Sequence, residues 1–260
     1  MSDSPRYART EVSDGIALVT IDRPSRLNAW GSEVSAHTVE ELIAAEANPD
    51  VGGVILTGAG RAFSAGADLK EESTHNVDDA ESYLEEHQGS PIFDVLGAYS
   101  KPVIAAVNGY AIGVGCLMCC CTDFILASSE ASFRLPQTSL GILPAYGGTL
   151  RLARFVGRGN ALHMALTGRA VGAEEAKRIG LVVSVHEPDE LLPTARATMQ
   201  EIISYPPQAL RLARESLRYG YDAGLAATEQ ADLFRQMMLY QTRGSAKQHE
   251  PWRSRQEGDA

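Results

Sequence analysis

Two stretches of the chain hold residue types that can do chemistry together: Phe63-Ser64-Ala65-Gly66-Ala67-Asp68-Leu69-Lys70, and the run from Pro102-Val103-Ile104-Ala105-Ala106-Val107 through Gly113-Val114-Gly115-Cys116-Leu117. Each passes from an apolar strand pattern into a glycine-broken turn and then a helix start, which leaves backbone N–H groups unpaired and aimed outward. Two such turns side by side can hold an oxyanion. The chemistry that fits is activation of a carbonyl, because preset donors stabilise the charge that grows on its oxygen. This holds whether a neighbouring proton is removed, a nucleophile adds in conjugation, or the carbonyl itself is attacked.

Such chemistry also needs a group that moves protons. The ionisable residues nearest the turns are Glu71, Glu72 and His75, with His87 beyond them and Tyr146 on the later stretch Gly141-Ile142-Leu143-Pro144-Ala145-Tyr146-Gly147-Gly148. Imidazole titrates near neutrality, although both histidines read more simply as exposed residues of a helix surface. Tyr146 can donate to an enolate or hold a substrate hydroxyl, and reads more simply as a packing aromatic. Asp68 reads as a helix cap and Asp123 as scaffold. Cys116, Cys119, Cys120 and Cys121 crowd one apolar stretch, with no Cys or His cluster at zinc spacing elsewhere. They read as buried, reduced core residues, and a nucleophilic role for Cys116 or Cys119 lacks an activating partner.

The elements that must position these residues alternate. Ile16 to Ile21 reads as a strand after the turn signal Asp14-Gly15, and Asp22-Arg23-Pro24 ends it. Ser32 is placed to cap a helix that carries Val34, Val39, Leu42 and Ile43 and stops before Asn48-Pro49. Strands follow at 54–57, 103–107 and 124–127, with helices after Gly66 and Gly113. From Ala161 the pattern turns helical; Ala173 to Gly180 is a glycine-closed helix before a strand over 181–185. Two further helices follow Pro206-Pro207, over 208–218 and about 223–241. The second carries an apolar stripe of Leu233, Met237 and Tyr240, with Phe234 and Met238 beside it, as an oligomer contact or a core-facing helix would. The whole reads as an α/β chain of stacked ββα turns.

The composition, 260 residues with 44% hydrophobic and 22% charged, suits one sizeable core with a small appended subdomain. The formal charge of −10 argues against general affinity for nucleic acid or an anionic membrane surface. The start of the chain is short and polar and no apolar run approaches a membrane span, so a cytoplasmic protein is expected. An anionic ligand would need a local cationic patch, for which Arg23, Arg26 and Lys70 are the candidates.

With Val54-Ile55-Leu56-Thr57-Gly58 before them and the 141–148 stretch after, the two turns closely resemble the crotonase family, the enoyl-CoA hydratase/isomerase group. The order and spacing match over roughly residues 10 to 220. The resemblance implies an α/β fold, a crotonase-like spiral of repeated ββα units with a C-terminal helical oligomerisation subdomain. A spiral core over 1–200 would hold the acyl-CoA site, and helices over 201–260 would build a trimer or a dimer of trimers. It implies an acyl-CoA thioester whose carbonyl oxygen sits between the N–H groups of Ala67 and Val114. Arg26, Ala65, Ala67, Asp68, Leu69, Lys70, Val114 and Leu117 would bind that substrate. Val114 replaces the family's usual glycine, which keeps the peptide N–H and narrows the mouth. Coenzyme A enters as part of the substrate; no other cofactor and no metal is implied, since the turns lack the third glycine and acidic partner of a dinucleotide fingerprint.

In the family's hydratases two glutamates hold the attacking water and deliver its proton. Their positions are filled here by Leu117 and, after Phe133-Arg134-Leu135-Pro136, by Gln137. The aspartate some isomerases place after the Gly-x-x-Pro turn is replaced by Ala145. Leucine has no proton to trade, and an amide positions water without a useful pKa. The catalytic set expected is therefore Ala67, Val114, Gln137 and Tyr146, in a lyase or isomerase that does not use the two-glutamate mechanism. The alternative is a non-catalytic acyl-CoA binding protein that kept the cradle and lost the base. The tail departs from the family: Trp252 and Arg253 stand where a basic residue and an aromatic usually cover the CoA adenine.

Overall fold

The apolar runs form the strands of the computed structural model, which describes residues 5–72 and 90–242. The chain divides into two units, Met1–Gln200 and Glu201–Ala260. In the first, β1 (Ala8–Ser13) and β2 (Ile16–Ile21) make an antiparallel hairpin. Its turn, Asp14-Gly15, takes φ of 53° and 75°, whose twist matches that of the flanking strands. Helix α1 (Ser32–Ala47) then leads to β3 (Gly53–Gly58), which lies parallel to β2. β5 (Val103–Val107), β7 (Phe124–Ser128) and β10 (Ser184–His186) extend this six-stranded sheet in order. β2, β3 and β5 are buried along their whole length, as parallel strands covered on both faces must be.

A smaller sheet takes the strands in between. β4 (Ala62–Ser64), β6 (Tyr110–Ile112), β8 (Ser132–Arg134) and β9 (Ala170–Gly172) lie in that order. The chain thus feeds the two sheets alternately: β3 then β4, β5 then β6, β7 then β8. After each second strand it enters a helical segment: α2 (Leu69–Glu72), α4 (Val114–Cys119) or a 3-10 turn (Gln137–Leu140). This is the expected ββα repeat. Because β4, β6 and β8 are parallel neighbours, the three turns that follow them emerge side by side. Helix α3 (Pro91–Ala98) packs against α1 and α4, and its Ile92, Phe93 and Leu96 join one core cluster with Leu42, Leu56, Phe63 and Phe133.

Several elements depart from the sequence expectations. Ser32 is the first helical residue of α1 and not its cap; the cap is Gly31, and the Glu71 carboxylate accepts from the Ser32 N–H at 2.9 Å and its hydroxyl at 3.2 Å. Helix α5 (Gly148–Thr167) begins well before Ala161 and is interrupted at Gly157 (φ 73°, ψ 162°). The helix after it, α6 (Ala173–Arg178), ends as expected near Gly180 (φ 85°). The strand that follows starts later than 181, because the N–H groups of Leu181 and Val182 both return to the Ala176 carbonyl and only Val183 N–H reaches the sheet, at Ile125 O. Helix α7 (Leu191–Ile203) comes next.

In the second unit α8 (Pro207–Ala223) runs longer than expected and turns at Gly224 (φ 79°) into α9 (Leu225–Tyr240). The pair is tied by Ser216 Oγ donating to Asp232 at 2.7 Å and by Arg235 over the Tyr219 ring at 5.3 Å. Leu233, Phe234, Met237, Met238 and Tyr240 are all more than half exposed, so the stripe faces no core. No helix among the described residues is long and apolar enough to cross a membrane.

Candidate active site

The strand ends bring the two glycine turns into contact. Gly66 (φ 93°) and Gly113 (φ 54°) take conformations that residues with a Cβ rarely adopt. A Cβ on Gly66 would stand 2.8 Å from the Ile112 carbonyl oxygen, and one on Gly113 would stand 3.9 Å from Gly66 Cα. The two turns follow the same logic. Gly66 N–H is spent on Ser64 Oγ (3.3 Å) and Gly113 N–H on the Arg134 carbonyl of β8 (2.8 Å). The next N–H in each, that of Ala67 and of Val114, meets no acceptor among the described residues, and both residues are only half-buried. Val114 opens α4, where the first N–H groups have no intrahelical partner.

Each donor is fixed by neighbours the sequence did not announce. Trp30 bridges to Ala67: its N–H donates to Gly66 O at 2.7 Å, and its carbonyl accepts from Asp68 N–H at 2.9 Å. That pairing turns the Ala67 N–H away from the bridge. Ser64 Oγ donates to Asn28 O at 2.8 Å, and the buried Asn28 amide donates to Ala62 O at 2.7 Å. Leu27 and Asn28 both have positive φ, 52° and 55°. Asn tolerates that region and is a readable signal; Leu27 offers none. On the other turn, a Cβ on Gly115 would fall 2.6 Å from Ser64 O, so only glycine lets α4 press against β4.

Asp68 caps as expected, its Oδ1 accepting Lys70 N–H at 3.2 Å. Its Oδ2 binds Arg23 at 3.0 Å and Arg26 at 3.2 Å, and the residue is 5% exposed. Burial pushes this carboxyl up, but the Lys70 N–H and the Arg26 and Arg23 guanidiniums together outweigh it and hold it below its ordinary value. Two of the three candidate cations are thus committed to Asp68, with Arg26 still partly exposed, while Lys70, Leu69 and Ala65 lie along the open first turn. Glu71 serves α1. The side chain of Glu72, His75, His87, Trp252 and Arg253 lie outside the described residues.

Leu117, one turn into α4, is 3% exposed, and a Cβ on Gly148 would overlap its Cδ1. Gln137 opens the third turn. Its Nε2 lies 3.4 Å, and its Cδ 4.0 Å, from where a Gly113 Cβ would be, and its Oε1 is buried without a hydrogen-bond partner. Tyr146 (φ 54°) packs its ring 5.4 Å from that of Phe93, and its carbonyl accepts from Arg151 Nε at 3.1 Å. The four thiols are buried, as expected. Burial and its neighbouring thiols push Cys119 well up, and a hydrogen bond with Cys116 together with burial does the same to Cys120, which leaves neither a thiolate nucleophile.

Two sheets fed alternately by strand-strand-helix repeats, with turns converging on parallel strand ends, define a crotonase-type fold. Enoyl-CoA hydratases from Thermoplasma volcanium (28% identical, 97% of this chain and 99% of that one) and Bacillus anthracis (31%, 96% of each) match it with TM-scores of 0.88 and 0.85. Residues 11–257 match the Enoyl-CoA hydratase/isomerase family, and the chain belongs to it. Relatives include a short-chain-enoyl-CoA hydratase of Clostridium acetobutylicum, 41% identical over 79% of this chain and 78% of that protein. A crotonyl-CoA hydratase of Syntrophomonas wolfei is 37% identical over 86% of each.

Proposed function

We propose that this protein is an enzyme acting on acyl-CoA thioesters, with the thioester oxygen held between the N–H groups of Ala67 and Val114. The observation that carries the reading is the contact of two glycine turns, each presenting one unspent, half-buried N–H. Donors fixed before reaction need little reorganisation as charge develops, and losing one commonly costs about 3 to 4 kcal/mol of barrier. Coenzyme A arrives as part of the substrate, with Arg26 and Lys70 nearest to its phosphates, and no further cofactor enters the reaction. The activity is that of a lyase or isomerase, and the C-terminal helices join copies into a trimer or a dimer of trimers.

Proton transfer does not follow the two-glutamate route, because Leu117 and Gln137 fill the positions where the family resemblance places those glutamates. Gln137 can orient water or an oxygen substituent but cannot take a proton. Among the described residues, Tyr146 is the group we assign to donate one. The burial of Leu117 against Gly148 favours a second reading, a protein that binds acyl-CoA without turnover.

Loss of the conjugated thioester absorbance of crotonyl-CoA at high protein concentration separates these. Wild type is expected near background, and Leu117→Glu/Gln137→Glu is expected to gain about 100-fold or more, the usual worth of a positioned acid and base. A fast wild-type rate would show that the missing glutamates do not matter. Turnover of another acyl-CoA by wild type would exclude the binding-only reading.

A further inference from the structure

We propose that Glu71 is a positioning residue for the oxyanion site, its side chain closing a ring of hydrogen bonds that presets the Ala67 donor. The proposal rests on the acyl-CoA reading above and adds what sets the strength of that site. The two donors are held in different ways. A trans peptide points its N–H opposite to its C=O, so whatever grips the carbonyl of Gly113 or Gly66 aims the N–H of Val114 or Ala67. Gly113 O accepts from Leu117 N–H at 3.0 Å, a bond within the start of α4, and that helix aims its own donor. Gly66 O is instead gripped from outside, by Trp30 N–H at 2.7 Å, in the segment that leads into α1.

The aim of the Ala67 N–H is therefore no firmer than the position of Trp30. The Trp30 carbonyl accepts from Asp68 N–H at 2.9 Å, which fixes one side. On the other side, Ser32 N–H and Oγ both donate to Glu71 Oε2, at 2.9 and 3.2 Å, and Glu71 N–H returns to Asp68 O at 2.9 Å. The path from Gly66 through Asp68 to Glu71, across to Ser32 and back through Gly31 to Trp30 is closed. The bonds at Gly66, Trp30 and Asp68 all join main-chain groups, so closure depends on the side chain of Glu71. Gly31 makes room for it: a Cβ there would overlap both carboxylate oxygens. The backbone of Gly31 is extended (φ −124°, ψ −177°) and suits any residue, so it is the carboxylate and not the chain that requires glycine. Without closure the Trp30–Ser32 segment follows a fraying start of α1, and the Ala67 N–H loses its aim while that of Val114 keeps its own. Donors that must reorient as charge develops lose much of their worth.

Infrared difference spectra of butyryl-CoA bound to the full chain, with and without an isotopic label at the thioester carbonyl, test this. The carbonyl stretch falls as hydrogen bonds polarise it, and no turnover is needed. Wild type is expected to lower the stretch relative to free butyryl-CoA. Glu71→Ala is expected to lose about half of that shift, the share of one donor in two, and Gly31→Ala, which keeps Glu71 but displaces its carboxylate, a similar amount. Glu71→Gln, which keeps an acceptor for Ser32, is expected to retain most of it. A full shift in Glu71→Ala or Gly31→Ala would overturn the proposal, since Glu71 would then cap α1 and do nothing more, and would leave the acyl-CoA reading standing. So would a Glu71→Gln variant as impaired as Glu71→Ala, which would place the effect in the charge. A wild type that binds no butyryl-CoA, or binds it without a shift, would overturn the two together. Gly31→Ala decides by itself should Glu71→Ala not fold.

Discussion

Asp68 shows how one carboxylate beside the first glycine turn can hold several elements together. Its carboxylate is buried between Arg23 and Arg26 and caps α2, while its own N–H closes the bridge that sets the Ala67 peptide. Removing the charge leaves Arg23, whose side chain is largely buried, with only the longer Glu71 pair at 3.9 Å, so Asp68→Asn is expected to cost about 2 kcal/mol at neutral pH. The folded carboxyl titrates below its ordinary value of 3.8. Its contribution is therefore complete above that value and is lost as pH falls through the folded one. Melting temperatures of wild type and Asp68→Asn should differ by a constant amount from pH 7 to about pH 5 and converge below about pH 4. A gap that persists into stronger acid would mean that the ion pairs are not its source.

At the scale of elements, the site depends on how closely α4 can approach β4. Gly115 has no room for a side chain, since its Cβ would meet Ser64 O at 2.6 Å and Ser64 Cβ at 2.9 Å, both attached to rigid strand backbone. Gly115→Ala is expected to lose about 1 to 3 kcal/mol of stability by denaturant melting. It should also lower kcat more than it raises KM, because it drives apart the strand that leads to one donor and the helix that carries the other. Gly159 in α5 is the contrast: a Cβ there meets nothing within 4 Å, and Gly159→Ala should be neutral or stabilising by about 0.5 to 1 kcal/mol. Equal behaviour of the two variants would remove the steric argument.

For the whole molecule, the exposed stripe on α9 is the surface that calls for a partner. Leu233, Phe234 and Met237 lie on one face of a helix whose described surroundings leave them in solvent. If copies of the chain associate through this helix, Phe234→Glu/Met237→Glu should reduce the mass measured by light scattering to that of one 27.9 kDa chain. An unchanged oligomer would move the interface elsewhere. A monomeric wild type would remove it.

Local signals in the sequence were enough for β2, β3, β5 and β7 and for the turns, because an unbroken β-branched run, a Gly at a sharp bend and an Asp-Gly turn each constrain the backbone by themselves, whereas β1, polar along its exposed edge, was not read as a strand. The two glycine turns were legible for the same reason. Where one segment's groups are satisfied by a distant segment, the sequence was silent. Glu71 capping α1, Trp30 setting the Ala67 peptide, and Leu181 and Val182 turning back to Ala176 in place of extending a strand are all of this kind. Their partners are chosen by proximity that exists only after folding. The orphaned oxygen of Gln137 belongs with them: glutamine is an ordinary residue in the sequence, and only the packing around it leaves its acceptor buried and unpaired at the edge of the site.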